Sequence, residues 1–174
     1  MQKPESYFMQ EAIKEAHLAL AEGNWPIGCV LELNGKIIAR AHNVVYSQKN
    51  RFGHAEMQAL HAANDTLNER PNEITLYTTY EPCPMCFGAC ILGKMKKVVC
   101  GIDLDQSGAM YFREHLPLLF KQDKFHVEFE RGLLADECAE VFLQGEPTKK
   151  LVKAGLVRVG GSPSETVSHM KQEL

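Results

Sequence analysis

The chain changes its hydrophobic period several times, and each change predicts an element. Across residues 5–21, Phe8, Ala12, Ala16, Ala19 and Leu20 recur at helical spacing, and Gly23 stands where such a helix would end. Residues 27–33 and 36–41 read as two strands separated by Asn34-Gly35, a pair that accepts the positive backbone angles of a tight hairpin. A second helix is predicted over 54–67. Residues 74–79 are β-branched and aromatic and read as a strand. Pro82 and Pro84 introduce a helix predicted over 83–94, because proline's fixed angle suits a helix's first turn. A short apolar strand follows at 97–102. Beyond it, 111–121 reads as a helix interrupted by Pro117, 125–130 alternates as a strand, and 133–143 reads as a helix. This order predicts an α/β fold with one central mixed sheet of about five strands, covered by helices on both faces.

The sequence shows no internal repeat and reads as one domain over residues 1–144. Residues 145–174 carry Gly155, Gly160, Gly161, two prolines and scattered serines, and are expected to form a tail, extended or partly mobile, or packed on the domain or a partner subunit. A chain of 174 residues, 45% hydrophobic, buries a core without disulfide staples. Its net charge of -3 argues against a broad electrostatic grip on nucleic acid, though a local basic patch remains compatible with it. The first ten residues are polar, unlike a secretory signal, and no apolar run approaches the roughly 20 residues that span a membrane. In that context the six cysteines, Cys29, Cys83, Cys86, Cys90, Cys100 and Cys138, read as free thiols or metal ligands in a reducing compartment. A soluble cytoplasmic protein is expected.

The candidate chemistry lies in two short stretches, His54-Ala55-Glu56 and Pro82-Cys83-Pro84-Met85-Cys86. Cys83 and Cys86 are three apart at a predicted helix start, so both sulfurs can face one point, and the free N–H groups there favour thiolates. His54, at another predicted helix start, can supply a third ligand. Two thiolates and an imidazole suit zinc, and three protein ligands leave a fourth tetrahedral position for water. Zinc brings the pKa of such a water to about 7, and the chemistry then needs a proton carrier beside the metal but not on it. Glu56, two residues beyond His54, fits that role for hydroxide attack on an amino-bearing ring carbon and departure of ammonia.

A lone C-x-x-C also occurs in redox sites and as half of a structural zinc site. A zinc finger would want a second Cys or His pair downstream of Cys86, and none is present; a thioredoxin-like site would need no upstream His-x-Glu. Cys90 as a fourth ligand would close the coordination sphere, so it reads as a buried apolar thiol. His61 is seven residues from His54, about 10 Å along a helix, and cannot share its metal. Cys29, Cys100 and Cys138 read as packing residues.

With these stretches identified, the sequence resembles the cytidine deaminase-like zinc enzymes over roughly residues 8–143. The likeness is strongest to the branch holding tRNA-adenosine deaminases, guanine deaminases and fungal cytosine deaminase. It rests on Trp25-Pro26-Ile27-Gly28-Cys29-Val30-Leu31 and on the strand Thr75-Leu76-Tyr77-Thr78-Thr79-Tyr80-Glu81 leading into Pro82-Cys83. The resemblance implies a three-layer α/β/α fold, zinc on His54, Cys83 and Cys86, proton transfer by Glu56, and a homodimer. It also implies that Asn43 hydrogen-bonds the substrate ring and that backbone groups at Ala55 and Pro82 line the pocket; Asn43 read by itself is equally a turn residue.

Gly101-Ile102-Asp103, Ser107-Gly108-Ala109 and residues 132–138 resemble stretches of tRNA-adenosine deaminases. Two features depart from them. Asn50-Arg51-Phe52-Gly53 replaces their Asp-Pro-Thr-Ala run, and Lys149, Lys150 and Lys153 are a thin substitute for an arginine-rich last helix. Phe52 is then a candidate wall of a small pocket, stacking on a free base. The sequence thus favours a small-molecule nucleobase or nucleoside substrate. Wobble-adenosine editing in tRNA is the rival within enzymes, and a non-catalytic zinc-stabilised binding domain the rival of another class.

Overall fold

The computed structural model describes residues 3–102, 108 and 113–153. Helix α1 (Glu5–Ala21) leads into strands β1 (Gly28–Leu33) and β2 (Lys36–His42). Helices α2 (Ala55–Ala62) and α3 (Asn64–Glu69), strand β3 (Thr75–Tyr80), helix α4 (Pro84–Leu92) and strand β4 (Lys97–Ile102) follow. After two short 3-10 turns come β5 (Glu128–Arg131), α5 (Ala135–Gln144) and α6 (Glu146–Lys153). The five strands form one sheet in the order β2-β1-β3-β4-β5. The pairs β2–β1 and β1–β3 are antiparallel, and β3–β4 and β4–β5 are parallel, so the predicted mixed sheet is present.

Strand alternation divides the core into two layers. Cys29, Leu31, Leu76 and Val98 point to one face, where they pack with Ala55 and Ala59 of α2 and Phe87, Cys90 and Ile91 of α4. Val30, Tyr77 and Val99 point to the other, against Phe8, Met9 and Ala12 of α1 and Cys138 and Phe142 of α5. Strands buried on both faces read as nearly continuous apolar runs, which is how β1, β3 and β4 appear in the sequence. Among the described residues no helix is long and apolar enough to cross a membrane.

Two glycine-bearing positions explain local geometry. Asn34 and Gly35 both adopt positive φ, 53° and 78°, as the Asn-Gly pair predicts for a two-residue hairpin. At Gly28, α1 crosses β1 so closely that a β-carbon would lie 2.0 Å from the Ala12 carbonyl oxygen and 2.4 Å from the Ala16 nitrogen.

Several predicted boundaries differ. The single helix over 54–67 is two helices, broken at Ala63, whose φ and ψ of -100° and 10° leave the helical region just before Asn64-Asp65, residues that prefer helix ends. The strand predicted over 125–130 begins only at Glu128, because its partner β4 begins at Lys97 and that pair opens the ladder. Phe125 instead lies in a 3-10 turn and packs its ring on the core. Of the helix predicted over 111–121, Tyr111 and Phe112 lie outside the described residues, and Pro117 is followed by a single 3-10 turn over Leu118–Lys121. The segment beginning at Gly145, read as a tail, opens with helix α6. Its Thr148 is buried, and Gly145 abuts Pro26 so tightly that a β-carbon would meet that ring at 2.6 Å. Residues 154–174 lie outside the described residues.

Candidate metal and catalytic site

Sheet register brings the two sequence motifs to one edge. Gly28 pairs with His42, and Cys29 with Thr78, so the end of β2, the start of β1 and the end of β3 lie together. The chain leaves β2 through residues 43–54 into α2, and leaves β3 through residues 81–83 into α4. Two helix N-termini therefore converge, with His54 as the N-cap of α2 and Cys83 as the N-cap of α4. Neither side chain caps its own helix. Residues such as Ser or Asn would satisfy the free N–H groups at these positions; the imidazole and the sulfur turn towards each other instead.

His54 Nδ1 lies 3.7 Å from Cys83 Sγ and 3.5 Å from Cys86 Sγ, and the sulfurs are 3.6 Å apart. Zinc with bonds of about 2.3 Å to sulfur and 2.0–2.1 Å to nitrogen needs tetrahedral edges of about 3.8 and 3.6 Å, so this donor set fits the ion in both chemistry and spacing. Among the described residues the group closes at three: Cys90 packs in the core beside α2, and His61 is exposed at the far end of that helix. Before any metal binds, hydrogen bonds from the Cys86 thiol and then from His54 push Cys83 down to about 4, against the opposing effect of its burial. Cys86 is driven the other way, first by its hydrogen bond with Cys83 and then by burial and the Glu56 charge. His54 is raised, chiefly by its hydrogen bond with Cys83.

Glu56 sits in the first turn of α2, 4% exposed, with its carboxyl against Cys86. Burial raises its pKa above the usual carboxylate value, the direction that suits a group required to carry a proton near neutrality. Its Oε1 accepts a 3.3 Å hydrogen bond from the buried hydroxyl of Thr78 on β3. Cys29 lies under the same region; burial first, and then the Glu56 charge, keep it a neutral thiol.

The other sequence candidates divide. Ala55 and Pro82 are buried beside the two ligand-bearing caps. Asn43 is 1% exposed and serves as a turn residue through one atom only: its Oδ1 accepts from Val45 N at 3.1 Å. That bond fixes which end of the amide is oxygen, and among the described residues Nδ2 has no partner. Phe52 is 69% exposed, so in the single chain it does not wall a closed pocket. It lies on an ordered loop, with Val44 N to Gly53 O at 2.8 Å and Phe52 N to Asn50 Oδ1 at 3.0 Å.

Two residues that sequence reasoning passed over shape the site. Asn24, fully buried, accepts from Tyr46 N and Ser47 N at 2.8 and 2.9 Å and donates to Ser47 Oγ, pinning the loop that carries Asn43 and Phe52. Nothing local distinguishes it from an ordinary residue after a helix end. Thr78 left a readable signal: it shares parity with Leu76 on an apolar face, where a hydroxyl needs a partner.

Comparison with known proteins gives a family. Residues 2–102 match the family model of the cytidine and deoxycytidylate deaminase zinc-binding region. A tRNA-specific adenosine deaminase of Streptococcus pyogenes serotype M1 is 38% identical over 156 residues, covering 86% of this chain and 90% of that protein. One from Bacillus subtilis is 42% identical over 134 residues, covering 75% and 81%. A structure from a study of A-to-I editing by tRNA:A34 deaminases superposes with TM-score 0.66 at 31% identity, covering 79% of this chain and 99% of that one. The guanine deaminase of Nitrosomonas europaea superposes with TM-score 0.64 over 83% and 86% of the two chains, and at 22% identity shows the fold alone.

Proposed function

The chain belongs to the cytidine and deoxycytidylate deaminase zinc-binding family, hydrolytic enzymes acting on nucleobase-type rings, and we propose that its substrate is adenosine at the wobble position of a tRNA anticodon loop, converted to inosine. The observation that carries deamination is the convergence of His54, Cys83 and Cys86 at zinc spacing with a buried carboxyl, Glu56, beside them and outside the ligand set. The choice of tRNA draws on relatives that match along most of both chains. The open approach to the site agrees with it, since Phe52, Lys49 and Arg51 stand exposed on the loop entering His54, where unpaired bases could stack and phosphates be neutralised.

In this reading His54 Nδ1 and the two sulfurs hold zinc. Bound there, zinc supplies the Lewis acidity that makes water a nucleophile near neutral pH. Glu56 takes the proton released from water and delivers it to the ring nitrogen next to the amino-bearing carbon; it then takes the second proton from the hydroxyl added to that carbon and passes it to the departing amine, so the C–N bond breaks, the carbonyl forms and ammonia leaves neutral. Asn43 Nδ2 donates to the ring, and backbone groups at Ala55 and Pro82 line the pocket. A homodimer belongs to the same proposal; Leu92, Leu118 and Leu119, which are 65, 84 and 53% exposed, offer apolar surface to a second copy. A cytoplasmic location belongs to the same proposal.

A second reading, a free nucleobase or nucleoside, is favoured by Asn50-Arg51-Phe52-Gly53, which departs from the Asp-Pro-Thr-Ala run that the resemblance to tRNA-adenosine deaminases implies. Incubating the zinc-loaded protein with adenine, guanine, cytosine, their nucleosides and an anticodon stem-loop RNA, while measuring ammonia, separates the two. Release from the RNA alone is expected; release only from a free base or nucleoside transfers the assignment to the second reading. The Glu56→Gln variant should keep zinc and lose at least about 100-fold in rate. Silence of both proteins on every ring would favour a zinc-stabilised binding domain.

A further inference from the structure

We infer that Thr78 is a positioning residue for the deamination step: its hydroxyl holds Glu56 Oε1 and so leaves the second carboxyl oxygen to carry the proton. The inference begins with a misfit. On the face of β3 that meets α2 and α4, Leu76 is followed two residues later by a threonine that is completely buried. Its cross-strand partner is Cys29 on β1 and its parallel partner Cys100 on β4. Valine would fill the same volume in that apolar layer without bringing a hydroxyl that must be satisfied. Among the described residues the hydroxyl has one partner, Glu56 Oε1 at 3.3 Å.

The other side-chain group touching the Glu56 carboxyl is Cys86. A cysteine that ligates a metal has given up its thiol proton, so it then has nothing to donate. Among the described residues, Thr78 is therefore the side-chain donor that remains to the carboxyl when the site is loaded. A glutamate has three rotatable side-chain bonds, and one fixed oxygen removes most of the freedom of the other. Proton transfer requires a heavy-atom approach of about 2.6–3.2 Å, so a carboxyl that wanders between rotamers loses rate even when substrate still binds. Thr79, one residue on, faces the opposite layer, where its hydroxyl accepts from Gly28 N at 3.1 Å, so the two neighbouring threonines have separate tasks.

The inference rests on the family's reaction and not on the choice of tRNA, so it is tested with whichever ring of the panel the parent enzyme deaminates. Thr78→Val should bind zinc at the parental stoichiometry and keep KM within about twofold. Its kcat should fall about tenfold or more, equivalent to about 1.4 kcal/mol or more of barrier. Thr78→Ser, which restores the hydroxyl without the methyl group, should recover kcat to within about threefold. A crystal structure of zinc-loaded Thr78→Val should show the Glu56 carboxyl displaced or in more than one rotamer. If Thr78→Val fails to fold, Thr78→Ala carries the same comparison against Thr78→Ser. An unchanged kcat in the valine or alanine variant overturns the inference. So does a serine variant as slow as they are, which would assign the effect to packing, or a loss confined to KM, which would make Thr78 a substrate contact.

Discussion

Asn43 shows how two roles can share one side chain. Its Oδ1 closes the turn after β2, while Nδ2 has no partner among the described residues. The Asn43→Asp variant keeps an acceptor for Val45 N but replaces the amide donor with an ionised oxygen. If Asn43 only shapes the loop, the variant should deaminate like the parent. If its amide donates to the ring, kcat/KM should fall about 10- to 100-fold with the melting temperature nearly unchanged, because a lost donor to a bound ring leaves a buried polar group unpaired. The two measurements together separate turn from substrate contact.

Among the elements, α1 is held to the sheet by the lack of a side chain at one position. A β-carbon at Gly28 would sit inside the Ala12 carbonyl, in backbone that cannot swing aside as a flexible side chain would. Gly28→Ala must therefore shift the whole helix or the strand, and a destabilisation of about 3 kcal/mol is expected from such overpacking, read as a lower urea midpoint. Because β1 begins there and Gly28 N also bonds Thr79, activity should fall alongside stability. The helix α2 teaches the complementary lesson. The apolar pattern ran unbroken from Ala55 to Leu67, but Ala63 is drawn into the core and Asn64 begins a separate turn. Hydrophobic periodicity carries no signal for that break; the signal lies in Asn64-Asp65, residue types that favour helix ends.

For the molecule as a whole, His54, Cys83 and Cys86 as the proposed ligands would tie the start of α2 to the start of α4 at one end of the sheet. A bound ion adds stability only to the folded state, about 4 kcal/mol at a free concentration 1,000 times its Kd. A protein of this size shifts by roughly 2–4 °C per kcal/mol, so stripping zinc with a chelator should lower Tm by about 10 °C, abolish ammonia release, and be reversed by adding zinc. A Tm unmoved by chelation would mean that the three side chains do not hold the ion in solution.

By itself the sequence determined the layers and the candidate chemistry. Short apolar runs with helices between them and an Asn-Gly hairpin specify an α/β sheet, and candidate zinc ligands declare themselves because few residue types can serve and their spacing on a helix start is fixed. Glu56 was a candidate from its place two residues beyond His54, and the structure buries its carboxyl beside Cys86. Only the tertiary structure decided which partner each side chain meets. Thr78 finds Glu56 across 22 positions and Asn24 reaches Ser47 across 23, distances over which no sequence period operates. Phe52 stands in solvent although its place beside His54 had suggested a pocket wall. Exposure of that kind is set by how β2, α2 and their connecting loop pack, a property of the assembled chain and not of its neighbours in sequence.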